Sequence, residues 1–334
     1  MGSVLTEIDE QITGAGAEVQ PAPISAPSKF SFVTVLFSYL LPAYAVLIGL
    51  IFGNEWLGHT LHYSVNFYSP AVYIFQSPQF SFKYYGFFLL SGLLISLWAM
   101  VKIGPLWSMK AEDILLLATV CVMGGSIGAR LYYVALCWPH FLAFPQEILN
   151  ASLGGLSIHG CLIGIVIVLL LYARFCKLSS LKLLDLVCVV MPLAQSVWRW
   201  GNLFNSEAFG FPLSGHAFLQ QIVTAENRPQ PFSHYSFFQP TFLFESLWDL
   251  VLFFCLYFGL SKLLVKRPGM LACVYIGGYS VGRTLIESVR IDGITCGAMP
   301  VAVPMLVSLL CIMGALYGAY VLSAKTAYCD TVSK

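Results

Sequence analysis

Eight apolar windows, each close to the roughly 20 residues that cross a bilayer as a helix, constrain this chain more than any other feature. They fall at about 32–53, 84–104, 114–136, 154–174, 183–204, 241–264, 269–288 and 300–323. In lipid every backbone N–H and C=O needs a partner within the protein, so spanning segments are helices or closed barrels. The alternating ten-residue pattern of a barrel is missing. The expected fold is therefore all-α, a polytopic integral membrane helical bundle. Composition agrees: 58% of the 334 residues are hydrophobic and 10% are charged, against roughly a quarter charged in soluble proteins. A net charge of +1 with no long basic run gives no reason to expect a nucleic-acid partner. The ten cysteines form no CxxC pair and mostly sit inside apolar runs, where they serve as small hydrophobes. A disulfide between Cys137 and Cys296, in loops on one side of the membrane, stays open.

Lys and Arg set the orientation, because cytoplasmic connections carry the excess. The connections at 105–113, 175–182 and 262–268, with flanking Lys102 and Arg174 and the tail after 323, hold ten of the seventeen; the opposite connections hold three, Lys83, Arg228 and Arg290. The C-terminus is expected in the cytoplasm, with 326–334 as its tail. Residues 1–31, rich in Pro, Ala, Gly and Ser, read as a disordered cytoplasmic tail. The window at 32–53 reads as a retained helix rather than a signal, since the tail before it is long and carries a single Lys.

With this orientation the intramembrane polar residues gather at the outer ends of the spans. Arg130 lies in GGSIGARLYYV, Arg199 and Asn202 in SVWRWGNLFNSEAFG, and Arg283 and Glu287 in YSVGRTLIESVR; Tyr85 in KYYG, His159 in GLSIHGCLIG and Glu245 in QPTFLFE begin spans there. One Arg near a helix end can snorkel to the interface. Three on the side that the positive-inside bias disfavours are harder to explain that way. Arg199 and Asn202 stand three residues apart, and Arg283, Glu287 and Arg290 at i, i+4 and i+7, so each set shares a helix face. Turned to lipid, a central Arg costs roughly 2.5–3.5 kcal/mol, so these faces are expected to line the bundle interior.

An interior guanidinium cluster calls for an anion, and near the outer leaflet that anion is a lipid phosphate, which the planar fork of Arg can hold by two oxygens. Glu245 and Glu287 fit as partners that hold the arginines. Gly124 and Gly128 have the spacing of close helix packing, while Gly155, Gly160 and Gly164 suggest a tight backbone approach. His159 reads either as a proton acceptor or as a hydrogen-bonded interior residue. The connection 205–240 is long, aromatic and nearly uncharged, and fits an outer lid or head. An arginine-lined transporter, which needs polar residues continuing to the cytoplasmic side, and a lipid-binding scaffold are the rival readings.

The same residues resemble the prolipoprotein diacylglyceryl transferase family over about 64–325. RWGNLFNSEAFG is similar to its G-R-x-G-N-F-x-N-x-E-x-x-G signature, with Arg199, Asn202, Asn205, Glu207 and Gly210 in register. SIHGCLIG resembles H-G-G-L-I-G, KYYG resembles W-Y-G, GARLYYV resembles G-x-R-L-x-Y, QPTFLFE resembles H-P-x-x-L-Y-E and RTLIESVR resembles R-F-x-x-E-x-x-R. Cys161, Ser206 and Gln239 depart from those patterns, standing for Gly, Gly and His. The resemblance implies a seven-helix core, here preceded by one extra helix. It implies transfer of the sn-1,2-diacylglyceryl group of phosphatidylglycerol to the lipobox cysteine of a preprolipoprotein at the outer face of a bacterial inner membrane. No metal or other cofactor is implied. Arg199, Arg283, His159 and Tyr85 are the implied catalytic residues. Asn202, Asn205, Glu207, Gly210, Arg130, Glu245, Glu287, Arg290 and Gly160 are the implied substrate-binding ones.

Overall fold

The computed structural model describes residues 40–69, 71–77, 81–149, 155–291 and 303–332. The expected tail at 1–31, the first residues of the window at 32–53, and Cys296 lie outside them. Six described helices are long and apolar enough to cross a membrane, and a bent pair makes a seventh candidate. The bent pair is α1 (Leu41–Phe52) and α2 (Asn54–Leu61), which meet at 73°. At 1.5 Å per residue the twelve residues of α1 extend about 18 Å, so the described part of the first window is shorter than a full span.

Then come α3 (Tyr84–Ile103), α4 (Ala111–Leu136), the short α5 (Trp138–Ala143), α6 (Ile158–Phe175) and α7 (Ser180–Phe204). They are followed by α8 (Thr241–Leu264), which contains a π-helical stretch at Cys255–Leu260, then α9 (Met270–Glu287) and α10 (Val303–Val332). α9 is 18 residues long; the inward polar groups Arg283 and Glu287 lower its apolarity, which leaves it outside the six. α10 continues through 326–332, so that part of the expected C-terminal tail is helical.

α7 is the central element, packing against α3, α8 and α9. Its buried side carries Leu186, Val189 and Val190, which join Ile114, Leu117, Leu252, Leu256 and Leu271 in the main apolar core. Asp185, fully buried on α7, accepts from the backbone N–H of Gly269 at 2.7 Å and of Ala272 at 2.8 Å. It thereby caps the first turn of α9 from a neighbouring helix, filling donors that no side chain of α9 itself satisfies. α4 and α6 form a second closely packed pair. A Cβ on Gly160 would lie 2.3 Å from the Gly128 carbonyl oxygen, and one on Gly128 would lie 2.4 Å from that of Gly160. Only a missing side chain on both helices permits this contact.

At the end of the bundle where α3 and α8 begin and α7 and α9 finish, the connections build a small head. Its sheet has the order β1–β4–β5: β1 (Val65–Tyr68) runs parallel to β4 (Leu219–Ile222), with Val65 opposite Leu219, and β5 (Phe237–Phe238) runs antiparallel to β4. A hairpin of β2 (Tyr73–Gln76) and β3 (Ser81–Lys83) leads into α3. Asn54 at the start of α2 pairs through its amide with both Leu219 N–H and C=O, at 2.7 and 2.6 Å, and ties the first helices to the head.

Candidate functional site

The cluster is assembled by three helix ends. Arg199 lies five residues before the end of α7, Glu245 in the second turn of α8, and Arg283 and Glu287 in the last turns of α9. Because the helices alternate in direction, these positions share one end of the bundle. Arg199 Nε lies 2.5 Å from Glu245 Oε2, and its Nη2 donates to the Tyr279 hydroxyl at 3.2 Å. Arg283 bridges the two carboxylates, bonding Glu245 through Nη1 and Glu287 through Nη2 at 2.7 Å. Arg290 reaches Glu245 at 3.3 Å and Glu287 at 3.8 Å. The arginine side chains are only 12–14% exposed and the glutamates 1–4%, so these ion pairs lie in an interior where charge is expensive unless paired.

Three guanidinium groups thus share two glutamates. Each guanidinium has five N–H donors and each carboxylate about four acceptor positions, so the glutamates can anchor the arginines without saturating them. Asp249, one turn beyond Glu245 and 1% exposed, lines a cavity of about 10 Å³ with Arg199, Glu245, Trp248, Tyr279 and Arg283. Its Oδ2 has no hydrogen-bond partner among the described residues, and the space is about what one water occupies. Asp249 and Tyr279 are not among the site residues expected from the sequence. The signal for Asp249 was available: it stands at i+4 from Glu245 inside an apolar span, on the same helix face.

The loop after α7 is held to this cluster by backbone. Asn205 caps α7 with its N–H on the Gly201 carbonyl, and Glu207 N–H bonds the Asn202 carbonyl at 2.9 Å. Asn202 is buried and Glu207 is exposed. Gly210 forms a β-bridge with Arg290, and a Cβ there would lie 2.8 Å from the Val289 carbonyl oxygen. Gly210 is therefore the point at which the loop closes onto the arginine that follows α9. Gln239, one of the departures from the family pattern, is buried; its amide donates to the Ile51 carbonyl at 3.0 Å and links the head to α1. Tyr85 is half-buried at the start of α3, lies against Gly201 of α7, and is within electrostatic reach of Arg199 and Glu207.

Three expected site residues, Arg130, His159 and Gly160, sit on the α4–α6 pair instead. Arg130 donates to the carbonyls of Glu147, Ile148 and Gly155, at 2.5, 2.9 and 2.9 Å, and lies over the rings of Phe141 and Tyr133. It organises the connection between α5 and α6. His159 is exposed beside Tyr132, with ring centroids 6.2 Å apart; this corrects the reading of an interior histidine. Gly160 faces Gly128 across the helix contact. Among the described residues no group of three or more His, Cys, Asp or Glu could hold a metal ion.

The sequence matches the family model described as prolipoprotein diacylglyceryl transferase over residues 72–321. It is similar to proteins called phosphatidylglycerol–prolipoprotein diacylglyceryl transferase from several bacteria. One from a Synechococcus species is 39% identical over 240 residues, covering 71% of this chain and 85% of the relative. Another, from Synechococcus elongatus, is 34% identical over 274 residues, 80% of this chain and 93% of the relative. A third, from Thermotoga maritima, is 38% identical over 246 residues, 72% and 82% respectively. A match that begins just after β1 and runs into α10, taking in every arginine and glutamate of the cluster, makes this chain a member of the prolipoprotein diacylglyceryl transferase family.

Proposed function

We propose that this protein transfers the sn-1,2-diacylglyceryl group of phosphatidylglycerol to the lipobox cysteine of a preprolipoprotein. The cysteine sulfur forms a bond to the glyceryl carbon as the carbon–oxygen bond to phosphate breaks. A thioether results, glycerol phosphate leaves, and the thiol proton is lost. Negative charge grows on the departing phosphate, so preorganised donors aimed at it lower the barrier. The observation that carries this reading is the sharing of Glu245 and Glu287 by Arg199, Arg283 and Arg290 at a buried helix junction. Arg199 and Arg283 grip the phosphate, and Glu245, Glu287 and Arg290 fix their geometry. Tyr85, Asn202, Asn205, Glu207 and Gly210 position the headgroup and the loop above it. Arg130 and Gly160 support the α4–α6 side, where His159 is the candidate to take the thiol proton, since an ordinary thiol near pKa 8.5 must ionise to attack.

The seven-helix core spans 64–325, with 205–240 as its outer head and α1 as an addition. The head end faces the outer leaflet of a bacterial inner membrane and the C-terminus lies in the cytoplasm, a topology supported by the Lys and Arg count. An anion path through the bundle is disfavoured because, among the described residues, Asp185 is the one buried charged group beyond the cluster and it is committed to capping α9.

Incubation of the purified protein with phosphatidylglycerol and a lipobox peptide should give the diacylglyceryl thioether by mass. Arg199→Lys, which keeps the charge and loses the fork, should lower the rate on the order of 100-fold, the scale of losing an oxyanion donor. Lipid binding without product would favour a scaffold, and near-normal turnover by Arg199→Lys would refute the phosphate grip.

A further inference from the structure

Trp248 lines two cavities: the small polar one shared with Arg199, and an apolar groove of about 600 Å³ between α1, α9 and α10, within the range of ligand sites of roughly 300–1,000 Å³. The indole is fixed in place: Nε1 donates to the Gly278 carbonyl at 2.9 Å, the ring occupies the position a Cβ on Gly282 would take, and Tyr44 of α1 meets it edge-on at 5.6 Å. The groove runs along α9 from Val281 to Met270, about 16 Å at 1.5 Å per residue. Leu40, Leu41 and Tyr44 form one wall, and Arg267 and Ser323 stand at the far end.

We propose that this groove holds one acyl chain of the lipid whose phosphate lies on the arginine cluster, and that α1 makes acyl-chain length a selected property of this enzyme. The inference rests on the function proposed above. It follows from adjacency, since a lipid held at Arg199 needs an apolar surface beside its headgroup and Trp248 lines both spaces. It also follows from α1 preceding the residues matched by the family model, 72–321, so this wall is an addition to the shared core. The polar far end limits how long a chain fits.

The test compares turnover of dipalmitoyl and dioctanoyl phosphatidylglycerol by the full chain, with Ala319→Trp filling the far half of the groove. Leu310→Trp, on the exposed outer face of α10, is the control for folding. Ala319→Trp should lower turnover of the long-chain lipid at least tenfold more than that of the short-chain lipid, and Leu310→Trp should change neither. Equal loss on both lipids, or no loss, overturns the proposal. In parallel, phosphatidylglycerol carrying a diazirine at its acyl terminus should label peptides containing Leu40–Tyr44 and Met270–Val281. Labelling elsewhere, as when bulk lipid or the segment before Leu40 fills the groove, also overturns it. If the wild-type protein forms no thioether yet labels these peptides, the reaction assigned above fails and the groove stands.

Discussion

Glu245 touches all three arginines of the cluster, so Glu245→Gln is the sharpest perturbation of it. The substitution conserves shape and removes one negative charge, leaving Arg199, Arg283 and Arg290 facing Glu287, with Asp249 a turn away. Removing one partner of a buried ion pair costs about 3–5 kcal/mol, chiefly because the opposite charge stays buried. The upper part of that range applies, since Glu245 is 4% exposed and serves three partners. The midpoint of thermal unfolding should fall on the order of 10 °C, taking a few degrees per kcal/mol. Transfer of the diacylglyceryl group should fall at least 100-fold. Arg290→Gln alone should also destabilise, but the double variant should recover part of the loss, because one charge of each sign is then absent. Thermal scans in one detergent and the mass-based transfer assay give both readouts, and the coupling energy follows from the double-mutant cycle. A Glu245→Gln protein with the melting and transfer of the parent, or strictly additive losses in the double variant, would refute the electrostatic account.

Ser206 adopts φ 54° in the loop that follows α7, where the family pattern has Gly. Left-handed backbone costs a non-glycine residue roughly 1–2 kcal/mol, partly offset by the entropy a glycine loses on folding, so Ser206→Gly should stabilise by about 0.5–1 kcal/mol and raise the melting midpoint. Asp185→Asn replaces a charged cap by a neutral one at the start of α9 and should cost about 1–2 kcal/mol. Its effect should appear as faster amide exchange at Gly269 and Ala272, with transfer per folded molecule retained. Gly160→Leu places a side chain where the Gly128 carbonyl oxygen stands at 2.3 Å and should separate α4 from α6, lowering both melting midpoint and yield. An unchanged midpoint in that variant would remove the packing role.

The spans were legible because hydropathy adds up over twenty residues, whereas the departures from a straight span are local. The window at 32–53 stops at Gly53, where α1 stops too, but nothing in its hydropathy announces the 73° turn into α2 or that Asn54 is spent on β4. The Arg283–Glu287 pair was legible for the same reason that α9 is a helix, since i and i+4 are neighbours on one face. The bond from Arg199 to Glu245 joins helices 46 positions apart in the chain, and no spacing rule announces it. The head was hidden more deeply. Its strands are two to four residues long, and β1 pairs in parallel with a strand more than 150 residues later, so neither alternation nor a hairpin turn marks them.

Arg130 shows where grouping polar residues by membrane side reaches its limit. It shares an end of the bundle with Arg199, but its donors go to the carbonyls of Glu147, Ile148 and Gly155, so it does for a connection what Glu245 does for the cluster. Both are means of keeping a buried charge paired, and sequence position does not tell them apart. The partner set does: an arginine bound to carbonyls holds a loop still, while arginines sharing a carboxylate are gathered into one charged cluster. In the reading proposed above, Arg199 and Arg283 of that cluster take the phosphate and Arg290 fixes Glu245 and Glu287 beside them. Gly210, bridged to Arg290, and Gln239, reaching from the head to Ile51, show how the loop and the added helix α1 are fastened to them.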